Sequence, residues 1–184
     1  MALTSTSDAE LLFLFRNPIT KEKAFTILLK KYKEKLYWHI RRMVVDHDDA
    51  NDVLQNVSIR VWNGLENFKE NSQLYTWLYR VATNECLTFL EQQKKKKSIP
   101  LDEVETGLEN KIKADQHFDA SKLEWKLQLA IQQLPEKQRI VFQLRYFDEM
   151  PYADMSEILG TSEGALKASY HHAVKKIEEF MLNH

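Results

Sequence analysis

Four aspartates and one histidine lie close together in the sequence and could form a metal-binding site. Asp46, His47, Asp48, Asp49 and Asp52 supply the carboxylate and imidazole groups that bind divalent cations. The segment lacks the central glycine of an EF-hand loop, and ligands on a second helix are not found at a matching spacing. Helix capping and a solvated acidic face explain the same residues. We therefore expect no metal, no cofactor and no catalytic residue.

A second polar group lies near the carboxyl end and has the spacing of one helix face. It comprises Lys167, Ala168, His171, His172 and Lys175. Lysine and histidine can reach phosphates and base edges, and a small alanine leaves room for a groove. The adjacent histidines point about 100° apart on a helix, which argues against a metal site. This face is a candidate DNA contact.

The sequence around that face has the outline of a helix-turn-helix. Pro151 opens a short periodic segment over residues 152–159, Gly160 suits a C-cap, and Thr161 or Ser162 can begin a longer helix. In DNA-binding proteins the second helix of this motif enters the major groove. The same outline occurs in helical bundles that never touch DNA, so the motif alone leaves DNA binding open.

Apolar residues recur every three or four positions in three stretches of the first hundred residues, which is the helical period. The stripes are Leu28, Tyr32, Leu36, Ile40 and Val44; Ala50, Val53, Leu54, Val57 and Val61; and Trp77, Leu78, Val81, Ala82 and Phe89. They predict one helical bundle. We assign Trp62 to its core, while Tyr75, Trp77 and Tyr79 fit either core packing or base stacking.

The period stops between residues 98 and 120, where Pro100 and Gly107 interrupt an acidic stretch, and it resumes from Leu123. Only 4 Gly and 4 Pro occur in 184 residues, too few turn-formers for many short strands. We predict an all-α chain of two small helical domains, residues 1–97 and 121–184. A flexible linker, residues 98–120, joins them, and the second domain carries the helix-turn-helix.

Charge and targeting features narrow the class of protein. The formal net charge is −1, yet basic residues gather in residues 21–42 and in the run Lys94 to Lys97. A chain with charge segregated in this way can bind DNA through a basic face and a protein through an acidic face. A single cysteine, Cys86, cannot form an internal disulfide. The N-terminus has no basic region followed by an apolar run. We expect a cytoplasmic protein that is not itself a membrane protein.

Three groups of motifs, in this order, resemble those of the extracytoplasmic-function (ECF) sigma factors of bacterial RNA polymerase. Residues 49–57 (DANDVLQNV) are similar to the family's polymerase-docking helix. Residues 75–84 (YTWLYRVATN) resemble the helix that opens the minus-ten promoter element. Residues 134–139 (LPEKQR), 144–147 (LRYF) and 162–167 (SEGALK) resemble the domain that reads the minus-thirty-five element.

The resemblance implies a sigma factor that binds core RNA polymerase, recognises promoter DNA and initiates transcription without catalysis of its own. It implies polymerase binding by Asp49, Asp52 and Gln55, and minus-ten DNA binding by Tyr75, Trp77, Tyr79, Arg80 and Asn84. Minus-thirty-five DNA binding would fall to Arg145, Ser162, Lys167, Ala168, His171, His172 and Lys175. The family also implies an anti-sigma factor as a partner, often a membrane-anchored one.

Two functions from other classes remain as alternatives. A helix-turn-helix regulator that binds duplex DNA as a dimer would need no polymerase, and its first hundred residues would sense a signal or dimerise. A metal-dependent helical enzyme would use Asp46, His47, Asp48 and Asp49. DNA binding in the absence of polymerase distinguishes the first, and metal content the second.

Overall fold

A computed structural model describes residues 6–97 and 122–183, and every regular element in these ranges is helical. The helices are α1 (Asp8–Phe15), α2 (Lys21–Val44), α3 (His47–Gly64), α4 (Leu74–Lys97), α5 (Lys122–Gln132), α6 (Glu136–Tyr146), α7 (Tyr152–Leu159) and α8 (Glu163–Asn183). A 3-10 turn, Leu65–Asn67, follows α3. The predicted all-α class is confirmed. The predicted linker, residues 98–120, lies outside the described residues.

Helices α1 to α4 form the N-terminal lobe around a shared apolar core. Leu28, Leu36, Ile40, Val57 and Leu78 are buried there, as the helical period predicted. The helix α1 was not predicted, because its sequence is apolar nearly throughout and shows no stripe. No helix in the described ranges has the length and apolar character needed to cross a membrane.

The aromatic side chain of Trp62 lies against this core, as expected. Its ring meets the rings of Phe15 and Phe25 edge-on, with centroids 5.4 and 5.0 Å away. The ammonium group of Lys21 lies 4.7 Å from the Trp62 ring centroid. These edge-to-face ring contacts and the cation–π contact of Lys21 hold α1, α2 and α3 together at one end of the bundle.

The motif formed by α7 and α8 has the turn that the sequence predicted. Gly160 adopts φ 61° and ψ 31°, a left-handed conformation that favours glycine, and its N–H donates to Ser156 O at 2.9 Å. Of the two candidate caps, Ser162 begins α8: its Oγ accepts from the Ala165 N–H at 3.4 Å. Pro135 directly precedes α6 and serves as its N-cap residue.

The two lobes pack against each other. The core of the N-terminal lobe continues into Ile140, Leu144, Met150, Met155 and Ile158 of the C-terminal lobe, and α4 packs on α7. A separate cluster, which includes Ile131, Phe142 and Ala173, lies inside the C-terminal lobe. The sequence predicted the lobes but not their contact.

Candidate nucleic-acid interface

The predicted DNA face of α8 is exposed throughout. Lys167, Ala168, His171, His172 and Lys175 all lie on the surface of one helix. The ammonium group of Lys167 is 3.6 Å from a carboxylate oxygen of Glu163, one helical turn before it. Exposed ion pairs of this kind contribute little to stability, so Lys167 can exchange this partner for a phosphate.

The other two residues of the predicted minus-thirty-five surface, Arg145 and Ser162, support the motif itself. Arg145 is half-buried: its Nη1 donates to Met150 O at 3.0 Å, and its guanidinium lies 5.1 Å from the Tyr152 ring centroid. Ser162 is exposed and caps α8. Both side chains therefore support the turns that present α8.

The five predicted minus-ten residues fall on different faces of α4. Arg80 and Asn84 are exposed and lie one helical turn apart, so they form a continuous polar stripe. Tyr75 and Tyr79 lie on another face, directed at the C-terminal lobe. The structure therefore brings Arg80 together with Asn84, and Tyr75 together with Tyr79, but does not join the two pairs.

The tyrosine pair is shielded from solvent. Tyr79 is only 2% exposed and Tyr75 is half-buried, with their ring centroids 4.6 Å apart. Burial raises the pKa of both phenols above the ordinary value, and the nearby carboxylate of Asp148 raises the pKa of Tyr79 further. Both side chains stay neutral, which suits stacking on a base. In this arrangement Tyr79 is not accessible to a ligand.

Trp77 packs at the junction of α3 and α4. Its ring centroid lies 5.2 Å from that of Phe68, and the side chain is half-buried. A Cβ atom added at Gly64 would come within 3.0 Å of Trp77 Cζ2, so the glycine permits the close approach of this ring. Of the two roles that the sequence left open, the contacts support core packing for Trp77.

The predicted polymerase-binding residues lie along one side of α3. Asp52 and Gln55 are exposed and Asp49 is half-buried. A groove of about 250 Å³ runs beside Gln55 between α2 and α3, with Leu36 and Leu54 among the residues that line it. The helix thus offers an acidic edge beside an apolar recess, a combination that suits a protein partner.

In the acidic cluster at the start of α3, Asp46 is the N-cap residue of the helix. The Asp46 carboxylate accepts from the backbone N–H groups of Asp48 and Asp49, at 2.9 and 3.1 Å. The His47 ring lies 2.7 Å from the Tyr37 hydroxyl and 3.1 Å from the Asn51 amide nitrogen. In the described ranges, no three His, Cys, Asp or Glu side chains are grouped to hold a metal ion.

Sequence reasoning missed a buried polar network between the lobes. Its centre is the Asp148 carboxylate, between α6 and α7, which faces His39 and Arg42 of α2 and Tyr79 of α4. The available signal was His39, a polar residue between Leu36 and Ile40 on an apolar stripe. Its partner lies 109 positions away, beyond the reach of helical periodicity.

Comparisons with known proteins agree with the two-lobed reading. Residues 28–96 match the family described as Sigma-70 region 2, and residues 124–177 match Sigma-70, region 4. The first match covers α3, nearly all of α4 and most of α2. The second covers α6 and α7 and most of α5 and α8. The surfaces described above on α3, α4 and α8 thus fall within matched segments.

Two known sigma factors are similar to most of this chain. The ECF RNA polymerase sigma factor SigW of Bacillus subtilis is 33% identical over 160 residues, 82% of this chain and 84% of SigW. The sigma-E factor of Escherichia coli K12 is 28% identical over 165 residues, 85% of this chain and 86% of that protein.

Solved structures show the same fold. The sigma factor RpoE of Bartonella quintana, in complex with the anti-sigma factor NepR, aligns with a TM-score of 0.68 at 18% identity, over 88% of this chain and 98% of that one. CnrH, in complex with the cytosolic domain of CnrY, aligns with a TM-score of 0.67 at 18% identity, over 95% and 97%. The identity to SigW over most of both chains, with region 2 and region 4 in order, shows that this chain belongs to the ECF sigma factors of bacterial RNA polymerase.

Proposed function

We propose that this sigma factor divides its work among three helices: α3 docks on core polymerase, α8 reads the upstream promoter element, and α4 holds the opened strand. The observation that carries the proposal is the exposed basic face of α8 on a capped helix-turn-helix, in the same chain as the exposed acidic edge of α3. Charge is segregated so that each surface suits a different partner.

On duplex DNA, α8 combines two kinds of contact. Lys167 and Lys175 are long cations suited to phosphates, which position a protein but carry no sequence information. His171 and His172 are shorter and can donate to or accept from base edges. Ala168, one turn before the histidines, leaves space for the helix to approach the groove floor. We assign sequence preference to the histidines and general affinity to the lysines.

On core polymerase, the acidic edge of α3 would meet a basic surface. The exposed Asp52 and Gln55 project from the helix, while Val53, Leu54 and Val57 on its other side are buried and fix its position. Charges at the edge of an interface mainly increase the association rate, and polar side chains at its centre set the register. A rigid helix presents both in fixed geometry.

On melted DNA, we infer two roles for α4. Arg80 and Asn84 are exposed and can contact the backbone or base edges of an unpaired strand at once. Tyr75 and Tyr79 can stack on unpaired bases only after the C-terminal lobe moves away, and each such stack contributes about 1–3 kcal/mol. Strand opening would then be driven by binding to bases that the duplex does not offer.

The remaining expectations follow from the family. Sigma factors are non-catalytic initiation factors, and we propose that this chain likewise has no enzymatic activity and works in the cytoplasm. The two similar solved structures are complexes with an anti-sigma factor or with the cytosolic domain of CnrY. We propose that this chain is also held by an anti-sigma protein of the membrane-anchored kind until a signal releases it.

Run-off transcription tests the function directly. Purified core polymerase and this chain are incubated with genomic fragments, and the transcripts are mapped. We expect transcripts from a specific set of promoters only when both proteins are present. Specific duplex binding by the chain alone, without transcription when core polymerase is added, would favour the dimeric helix-turn-helix regulator instead.

A further inference from the structure

One buried carboxylate joins the two lobes. The side chain of Asp148, in the turn between α6 and α7, is 5% exposed. Arg42 Nη2 donates to its Oδ1 at 2.5 Å, His39 Nδ1–H donates to its Oδ2 at 3.1 Å, and the Tyr79 hydroxyl donates to Oδ1 at 3.4 Å. A single side chain of the C-terminal lobe thus ties down both α2 and α4.

Neighbouring side chains enclose this contact. The fully buried His39 has its second ring nitrogen 2.9 Å from Thr83 Oγ1 on α4. Gln143 Nε2 donates to the Arg42 backbone oxygen at 2.9 Å, and the Phe147 ring centroid lies 5.0 Å from the Arg42 guanidinium carbon. Charge-assisted hydrogen bonds are stronger when water is excluded in this way.

The same interface covers the tyrosine face of α4. Met155 and Ile158 of α7 are buried in one core with Leu78 and Ala82 of α4, next to Tyr79. The hydroxyl of Tyr79 is held by the Asp148 carboxylate. A base therefore cannot stack on this tyrosine while the lobes are joined.

Some buried polar atoms in the closed arrangement also lack a hydrogen-bond partner, which favours opening of the contact between the lobes. Among the described residues, the buried Arg42 Nε and Gln143 Oε1 have no hydrogen-bond partner. Burying charges is unfavourable unless their pairing compensates, and an unpaired buried polar atom adds to the cost. Water can hydrate all of these groups once the lobes part, so the contact can open without leaving charges stranded.

We propose that Asp148 is an autoinhibitory latch. It holds the polymerase-free chain closed over Tyr75 and Tyr79, and it releases when the chain engages core polymerase. The inference rests on the proposed role of α4 in holding the opened strand. Its conformational part concerns the chain alone and can be tested without promoter DNA.

The first test measures compactness. A closed chain of 184 residues has an expected radius of gyration of about 16 Å. Asp148→Asn and Arg42→Gln remove the charge pair from opposite lobes at nearly constant size. Each should raise the radius of gyration in small-angle X-ray scattering, with unchanged far-ultraviolet circular dichroism, and the double variant should add little more.

The matched control uses another ion pair between the lobes. Lys94 Nζ lies 2.6 Å from Glu136 Oε2, with the two side chains 68% and 38% exposed. Because solvent screens this pair, Glu136→Gln should leave the radius of gyration as in the parent. Variants at Asp148 and Arg42 that stay as compact as the parent would overturn the latch. Loss of helix content in both would overturn it too, since Asp148 would then maintain the fold itself.

The second test measures binding to core polymerase. If only the open form binds, opening the latch in Asp148→Asn should tighten the apparent Kd by about threefold or more, limited by the fraction already open. An expanded, folded variant with unchanged or weaker binding would contradict autoinhibition. Failure of the parent chain to bind core polymerase would instead count against the proposed function, and the scattering result would still stand.

Discussion

At the scale of single residues, the lysines and histidines of α8 differ in what they can contact on DNA. Lys167→Ala removes one phosphate contact, so binding to the upstream element should weaken across all sequences, and the slope of log K against log salt should fall by about one unit. His171→Ala should instead change sequence preference. Binding of the polymerase complex to a promoter library at several salt concentrations measures both effects.

The exposed Lys69, in the turn that precedes α4, supplies the charge control for this prediction. Lys69→Ala removes the same charge at a position to which we assign no DNA contact, and it should leave the salt slope unchanged. An equal loss of slope in both lysine variants would show a general charge effect and remove Lys167 from the DNA surface.

Two residues of α4 lead to a prediction about strand opening. Arg80→Ala and Tyr75→Ala should leave the closed promoter complex intact but impair melting, because their proposed partners become available only when bases unstack. Permanganate footprinting of promoter thymines detects the opened strand, and a duplex-binding assay detects the closed complex. Gln92→Ala, also exposed on α4, is the control and should melt the promoter normally.

Two results would contradict this assignment. One is promoter opening by the Arg80 and Tyr75 variants that equals that of the parent, and the other is failure of these variants at duplex binding already. Trp77→Ala is a poor test of the same idea, because the ring packs on Phe68 and beside Gly64. Its loss should destabilise the N-terminal lobe by about 3–5 kcal/mol, so any loss of function would follow from unfolding.

At the scale of secondary-structure elements, α3 is a docking surface whose polar edge can be changed without harming its packing. The double variant Asp52→Ala, Gln55→Ala alters exposed positions only, while the buried stripe of Val53, Val57 and Val61 stays intact. Helix content should therefore be unchanged and association with core polymerase weaker. Co-purification with core polymerase, together with circular dichroism, measures both properties.

Helix α1 provides a control for the charge change. Glu10 is exposed on α1, a helix to which no role in docking is assigned. Glu10→Ala should bind core polymerase like the parent. Undiminished binding by the α3 double variant would remove this helix from the docking surface, whereas equal weakening by Glu10→Ala would indicate a non-specific effect of net charge.

At the scale of the whole molecule, the shared core and the predicted linker together determine how the chain responds to protease. Composition predicts that cleavage begins within residues 98–120, because Pro, Gly and acidic residues interrupt the helical period there. The two fragments should nevertheless stay together on size-exclusion chromatography, because Met150, Met155 and Ile158 pack into the N-terminal core. First cleavage inside either lobe would place the domain boundary elsewhere, and immediate separation of the fragments would contradict the packed arrangement.

Most of the local structure was determined by the sequence itself. The apolar period predicted α2 to α8, Gly160 predicted the turn of the helix-turn-helix, and the exposed face of α8 followed from spacing alone. These features depend on neighbours within about four residues, which periodicity and capping describe. Helix α1 was missed because a short, almost wholly apolar segment has no stripe to detect.

Only the tertiary structure decided how the lobes meet and which aromatic residues are accessible. Tyr75, Trp77 and Tyr79 look alike in sequence, yet Tyr75 is half-buried against Tyr79, Trp77 packs beside Gly64, and Tyr79 is covered next to Asp148. The hydrogen bonds that join the lobes around Tyr79 and Asp148 link residues about 70 to 110 positions apart. Local spacing carries no information about such pairings, because they depend on how whole helices pack in three dimensions.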